Sequence, residues 1–426
     1  MADTSTFSAA MKTKFIGPIR DGLHSGKVLL FGTGPEGGDN TQANPEDFKG
    51  IQRSAEGIDF VGNDFRIPLK ATRNQAVGFR SENETLPAPG NSTYTYLTEP
   101  LRYAYGLFNI TGQLLKASES NEGAFKQAFK QEMEDTVLTS KIDFNRAAFG
   151  DGTGSFTAVA TNASSSDTTV VVSTTINFRG GEIIDFTTSG GTVVSAAHTV
   201  TGINRTTKTL TISPALAANV TAGTHFPVRA SSDSTTSVPN NSLNKEIQGL
   251  QSIVASSGAL HGVNPTTYAF WKSYQAAVGG GITDTVLRNA VDGIGFEAGA
   301  DTSGNDFVMI TTRGIRANYA ATLTSLKQFV NAEAQTLRGG FKALIFDDHP
   351  IFVDDQCPVG NVFGLNLKDF FWAELADWDW MDQDGDVLKW ESRKDRYVAI
   401  LYKYCQLGVT RRNTHFRLTG VTDTDR

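Results

Sequence analysis

The chain has 426 residues, 39% of them hydrophobic and 19% charged, enough for two or three packed units around separate cores. Its net charge of −7 excludes a dedicated nucleic-acid binder, which would carry a basic domain, while leaving room for a local basic patch. Two cysteines, Cys357 and Cys405, exclude a disulfide framework and suit a reducing cytosol; no run of about 18 apolar residues could cross a membrane.

Residues 1–62 are polar and Gly-rich, with short apolar pieces and no sustained period, which predicts an extended N-terminal arm. The first thirty residues lack the apolar run of a signal peptide, so the Asn-x-Ser/Thr triplets carry no glycosylation meaning. A strand-like 27–31 precedes Gly32-Thr33-Gly34-Pro35-Glu36-Gly37, formally a GxGxxG. A dinucleotide site needs a helix to open there with its N-terminus on the pyrophosphate. Loop residues Gly38, Asp39, Asn40 and Pro45 follow instead, so the motif reads as a turn.

Residues 63–110 read as a long hairpin, with strand-like runs at 65–80 and 94–110 around a polar tip that ends in Leu86-Pro87-Ala88-Pro89-Gly90. Two isolated strands are marginal in water, so this hairpin must lie on something else. Arg66, Arg73, Arg80 and Arg102, balanced by Glu82, Glu84 and Glu99, suit ion pairs with a partner chain. Within 111–150, the spacing predicts a helix over 118–149, with Phe125, Phe129, Met133, Val137, Phe144 and Ala148 on one stripe. About thirty residues at 1.5 Å each reach roughly 45 Å, long for an ordinary domain helix.

In 151–232, Thr, Ser, Val and Gly dominate. Strands are expected at 156–161, 168–174, 182–187, 193–203, 208–213 and 225–229, as in a small β-barrel or sandwich inserted in the main body. In 233–264 a second helix is predicted over 242–257 from Leu243, Ile247, Leu250 and Val254; the SxxK at Ser242 to Lys245 is explained by a capping serine. Residues 265–386 alternate helical (283–296, 313–323) and strand-like (307–311, 343–346) signals, with a turn at 352–355, which implies an α+β domain. The stretch 387–426 is basic and closes with strands at 398–401 and 416–418; its cations suit a solvated face, or contact with nucleic acid or acidic neighbours.

Chemistry-bearing patterns are sparse. With Gly385 at position six, Asp382, Asp384 and Glu391 fall at ligand positions of a calcium loop, but position one is Trp380, so a polar turn is the better reading and no metal is assigned. The six histidines are scattered singly, Cys357 reads as a structural thiol, and neither HExxH nor GxSxG occurs. No catalytic residue and no cofactor site is assigned.

The order of parts, together with Ile67-Pro68-Leu69-Lys70, Leu86-Pro87-Ala88-Pro89-Gly90, Ala376-Asp377-Trp378-Asp379-Trp380-Met381-Asp382 and Gly408-Val409-Thr410-Arg411-Arg412-Asn413, resembles major capsid proteins of tailed bacteriophages with the Hong Kong 97-type fold, especially actinobacteriophage members. The resemblance covers the whole chain except the β-rich insertion. It implies an α+β capsid fold: N-arm, extended loop, peripheral domain with a long spine helix, axial domain, and a return of 387–426 to the peripheral domain. It further implies self-assembly as hexamers and pentamers into an icosahedral head around double-stranded DNA. The implied partners are a scaffolding protein, either separate or a removed segment, a portal and decoration proteins; the location is the virion, assembled in the host bacterial cytoplasm. Some relatives lock subunits by a Lys–Asn isopeptide. Lys70 is the only lysine of the hairpin and lies at its root, so ion pairs are the expected lock. An encapsulin-like compartment and a receptor-binding β-protein are the alternative readings.

Overall fold

The computed structural model describes residues 59–62, 64–74, 76–113, 122–298, 307–326, 344–347, 349–382 and 385–424. In chain order, β1 (Asp59–Val61), β2 (Asp64–Lys70) and β3 (Tyr94–Pro100) form an antiparallel ribbon, followed by β4 (Arg102–Thr111) and helix α1 (Glu122–Phe149). Next come β5 (Thr169–Val171), β6 (Ile183–Thr188), β7 (Val193–Asn204), β8 (Thr209–Ser213) and β9 (His225–Arg229), then the single turn α2 (Leu250–Ile253). The remainder is β10 (Tyr274–Ala277), α3 (Asp284–Ala298), β11 (Phe307–Thr311), α4 (Arg313–Leu326), β12 (Leu344–Phe346), β13 (His349–Val353) and β14 (Val362–Asn366). It closes with β15 (Phe370–Trp380), β16 (Leu388–Trp390), β17 (Arg396–Val409) and β18 (Phe416–Thr419).

Apolar burial divides these elements into four clusters. Met133 and Val137 of α1 pack on Phe108 and Ile110 of β4, Trp378 and Trp380 of β15, and Leu401 of β17. The C-terminal end of α1, through Ala147, Ala148 and Phe149, shares a larger core with Phe65, Leu97 and Leu101 at the foot of the ribbon and with Trp271, Phe363 and Phe371. α3 and α4 cover a mixed six-stranded sheet of order β10-β18-β14-β11-β13-β12. β11 is buried at every position, as a strand covered on both faces must be. The fourth core belongs to the five-stranded sheet β5-β8-β7-β6-β9. Its outer strands are tied together by the stretch 155–163, which bridges Ser155 to Val228 on one side and Val159 to Val172 on the other.

The structure departs from the sequence expectations at five places. The strand expected at 156–161 is not formed; that stretch makes only an isolated bridge, Val159 to Val172. The ribbon is shorter than 63–110: β2 pairs with β3 only from Asp64–Pro100 to Lys70–Tyr94, and 94–110 splits at Leu101. β4 pairs instead with β17, because its alternating Phe108 and Ile110 find their apolar partner in α1. Pro68 is accommodated because β1 reaches only to Arg66, leaving β2 with one neighbour beyond it.

The helix expected over 242–257 is a single turn. Asn244 adopts φ +56 and Gly249 is extended, so the chain winds over the end of α1 rather than coiling. A Cβ on Gly249 would lie 2.5–2.6 Å from the carbonyl oxygens of Ala147, Ala148 and Gly150, so only glycine fits that crossing. The turn expected at 352–355 begins inside β13.

The basic tail, read as a solvated or nucleic-acid-facing surface, is split: Lys403 is 4% and Arg412 1% exposed, whereas Arg393, Lys394 and Arg411 are on the surface. Arg417 donates to Asn361 Oδ1 at 2.8 Å, and Arg396 is paired with Glu391. A strand that alternates cations with apolar residues can bury the cations once carboxylates and carbonyls face them.

Gly249→Ala is expected to lower unfolding stability by about 2–3 kcal/mol, through overpacking against rigid backbone. Gly180, where an added Cβ meets nothing within 4 Å, is the control, and Gly180→Ala should change little; chemical denaturation of both variants checks this.

Candidate subunit interface

The sequence places the partner-facing charges on the ribbon, and the structure sorts them into two groups. Arg66, Arg73, Arg80, Glu82 and Glu84 are exposed. Arg80 is held locally, donating to the carbonyls of Phe79 (2.8 Å) and Thr85 (3.2 Å), while Glu84 accepts from Ser81 N at 2.9 Å. Val77, Phe79 and Leu86 are 87%, 103% and 78% exposed, so the tip also presents apolar surface that has no cover in its own chain. Glu99 and Arg102, by contrast, turn into the body.

That root is built around two side chains the sequence did not single out as functional. The Glu99 carboxylate lies 3.9 Å from Arg102 and 3.7 Å from His261 Nδ1, and Arg102 donates to Asn244 O at 2.9 Å. Thr98 N donates to His261 O at 2.9 Å, and the Phe65 ring meets the imidazole edge-on at 5.4 Å. Behind them Arg412 donates to the carbonyls of Ser252 (2.8 Å), Ile253 (2.8 Å), Ser257 (3.2 Å), Gly258 (2.9 Å) and Trp271 (3.4 Å). The planar guanidinium thus gathers one winding segment, whose carbonyls would otherwise be buried without donors. Burial pushes the Arg412 pKa down to about 10, which leaves it charged at neutral pH. Burial also pushes His261 below its ordinary value, against the pull of Glu99.

Beside the root runs a groove of about 1010 Å³, floored by Tyr103, Tyr105 and Leu107 of β4 and walled by Asp135 and Asp143 of α1 and by Lys245. One end is closed by a charge network joining α1 to the β-rich sheet. Arg146 pairs with Glu246 at 2.5 Å, and Arg229 bridges Asp143 and Glu182 at 2.8 Å each. Both guanidinium groups lie over the Phe156 ring, at 4.6 and 5.8 Å. Burial opposes the charge on Arg146, yet Glu246 beside it holds the pKa above the ordinary value. Burial likewise raises Glu182 despite Arg229.

Of the expected helix stripe, Met133 and Val137 are buried and Phe144 stacks on Trp372 at 5.5 Å. The Phe125 and Phe129 side chains lie outside the described residues, as do Asp384 and the arm with its Gly32–Gly37 turn. Glu391, a candidate calcium ligand, binds Arg396 and Lys394, and those hydrogen bonds lower its pKa to about 2. Lys70 is exposed opposite Tyr94 at the end of β2.

No family model matches the chain, and no curated protein matches its sequence. Solved structures do. The capsid asymmetric unit of cyanophage A-1(L) superposes at a TM-score of 0.54 and 12% identity, covering 87% of this chain and 91% of that one. The capsid of a native GTA particle gives 0.43 at 11% identity over 92% and 95% of the two chains. The holo-SrpI encapsulin complex from Synechococcus elongatus PCC 7942 gives 0.41 at 10% identity, over 79% of each. The cyanophage match gives the chain the fold of a phage capsid subunit, as the order of its segments implies.

Two outcomes are expected at the root. Arg412→Lys should destabilise by about 2–4 kcal/mol, since an ammonium cannot fork to five carbonyls and leaves some unsatisfied. Acid should destabilise through His415, whose Nδ1 accepts from Asn366 N at 3.1 Å and whose pKa burial pushes to about 3. The folded pKa lies below the unfolded value of 6.5, so its contribution is complete above pH 6.5 and is lost as pH falls towards about 3. One proton corresponds to about 1.4 kcal/mol per pH unit, and urea titrations at stepped pH should show that slope flattened in His415→Gln.

Proposed function

We propose that this chain is the major capsid protein of a tailed bacteriophage, assembling as hexamers and pentamers into an icosahedral head that encloses double-stranded DNA. The observation that carries the reading is the near full-length fold match to a phage capsid subunit. The ribbon is consistent with it: its foot is locked in the core while its tip is bare and partly apolar, as expected of an arm finished by a neighbour. In this reading 1–62 is the N-arm and β2–β3 with the tip is the extended loop. α1 is the spine helix of the peripheral domain, to which β4 and β15–β17 belong, and the six-stranded sheet with α3 and α4 is the axial domain; this differs from the sequence bounds of 265–386 and 387–426, since β15 pairs with β17 and β18 pairs with β10 and β14. The β-rich sheet of 151–232 is a small barrel inserted on the outer face, where it takes no space from the genome.

The role is structural, without catalysis. Subunits are held by charge pairs from Arg66, Arg73, Arg80, Glu82 and Glu84 and by apolar contacts of the tip, not by an isopeptide at Lys70. A scaffolding protein, a portal and decoration proteins complete the assembly. DNA is retained by the closed shell; of the tail cations Lys403 and Arg412 are buried in the subunit, while Arg393, Lys394 and Arg411 stay on its surface.

Electron microscopy of the purified full-length protein is expected to show closed shells of uniform diameter. Monomers that stay dispersed at every concentration would overturn the proposal. Nuclease-protected DNA in native particles is expected; an enzyme cargo in its place would identify a protein compartment.

A further inference from the structure

His261 lies at the foot of the ribbon and is 1% exposed, yet neither ring nitrogen has a hydrogen-bond partner among the described residues. The Glu99 carboxylate, 3.7 Å from Nδ1, is beyond hydrogen-bond reach but close enough to act on a charge. A buried donor left without an acceptor costs about 1–3 kcal/mol. The residue sits in a two-residue turn. Leu260 and Val263 exchange hydrogen bonds at 3.1 and 3.0 Å, and φ between them is +51 at His261 and +75 at Gly262. The left-handed region is uncommon for any residue with a side chain. This turn clasps β3: His261 O accepts from Thr98 N at 2.9 Å, and a Cβ on Gly262 would lie 2.9 Å from Thr98 Oγ1. The ring itself meets Phe65 of β2 edge-on at 5.4 Å. Residues 256–259 beside the turn are exposed, so solvent lies close to the ring.

The charges around the ring decide what a proton does there. Facing it are Glu99 of β3, Arg102 of β4, which lies 3.9 Å from that carboxylate, and Arg412 beyond the end of β17. A protonated imidazole would place three cations around one carboxylate in a site closed to water. Burial is the largest opposing cost and Arg412 adds to it. Together they outweigh Glu99 and hold the seated ring below its ordinary pKa. Once the turn moves out, the ring is hydrated and titrates near 6.5. Proton binding therefore favours the displaced turn.

We propose that the His261-Gly262 turn is a proton-operated latch, which seats the foot of the ribbon while the imidazole is neutral and lets go when His261 is protonated. The latch follows from the foot itself. Its use, to change the angle of an arm that meets a neighbouring copy, rests on the shell reading. Linkage fixes the sign: a group whose pKa is depressed in the seated state supports seating fully above its hydrated value. Seating is therefore complete above about pH 6.5 and is lost as pH falls below it. The released fraction rises by up to about tenfold per pH unit.

The test uses the full chain with spin labels at Tyr94→Cys on the ribbon and Ser392→Cys on the body, both exposed; native Cys357 and Cys405 are buried and escape labelling. Labelled chains are diluted with unlabelled ones, and the label-to-label distance is measured by electron paramagnetic resonance from about pH 7.5 to about 5. That window stays above ordinary carboxylate titration and above the value of about 3 for His415. A single distance is expected at the upper end, with a second, broader population growing below about pH 6.5. His261→Asn suits the positive φ and has no ring to protonate, so its distance should not change with pH. A distance constant with pH in the parent labelled chain, or an unchanged pH response in His261→Asn, would overturn the latch. If that variant does not fold, deuterium exchange at the His261 ring C–H in the parent decides. Protection relative to free histidine is expected at neutral pH and should be lost as release sets in; equal protection across the window overturns the latch. Neither measurement needs shells, so a protein that forms none removes the shell reading and leaves the latch to stand or fall on these results.

Discussion

The foot of the ribbon depends on one buried cation. Arg412 sits at the end of the long β17 strand and holds the carbonyls of a segment that would otherwise have no regular structure to satisfy them. That segment carries the chain to His261, and His261 meets Phe65 and Thr98 of the ribbon. A carboxylate partner would have left the carbonyls unpaired. Five carbonyls spread the charge and fix the segment's path at several points at once, which a single ion pair cannot do.

The second set of buried charges does different work. Arg146 and Arg229 with Asp143, Glu182 and Glu246 join three pieces of chain that are far apart in sequence: the long helix, the β-rich sheet and the winding segment. Arg146, Glu246 and Glu182 are well shielded while Arg229 and Asp143 keep some water, so removing a shielded member strands its partner, and the network is weak as net stabilisation but strict about geometry. The stacking of both guanidinium groups on Phe156 adds direction, since the ring contact fixes their planes. The inserted sheet is thereby seated on α1 by charge and ring contacts, while its apolar core stays its own.

How far the sequence foretells this varies by element for physical reasons. The 307–311 and 225–229 strands match β11 and β9 to the residue, because short apolar or alternating runs between turn residues have few other outcomes. The run 94–110 misled because alternation reports that one face is buried and not which element buries it, so β4 looked continuous with β3 across Leu101. The 242–257 region carried helical spacing at Ile247, Leu250 and Val254, all of them buried, yet Gly249 had to cross the carbonyl end of α1. Tertiary contact overrode a local period there. Of the candidate interface, the exposed Arg66, Arg73 and Arg80 were legible as surface charge. Arg412 and Arg146 were not, since a basic residue near a strand end or in a helix's last turn looks solvated until its partners from 100 or more residues away are known.

The same physics explains why the ribbon can be thin. A hairpin of this length has too little apolar area to order itself, and its tip from 71 to 93 has almost no regular pairing. Stability is concentrated at the foot, where Phe65 and Leu97 are fully inside the main core. The foot sets the direction in which the ribbon leaves the body, and the tip is held by local hydrogen bonds of its own. An arm rigid along its whole length would have to match its target before contact. One fixed only at its base keeps the angle and lets the tip adapt, so the conformational entropy is lost only when the partner surface is there to offset it.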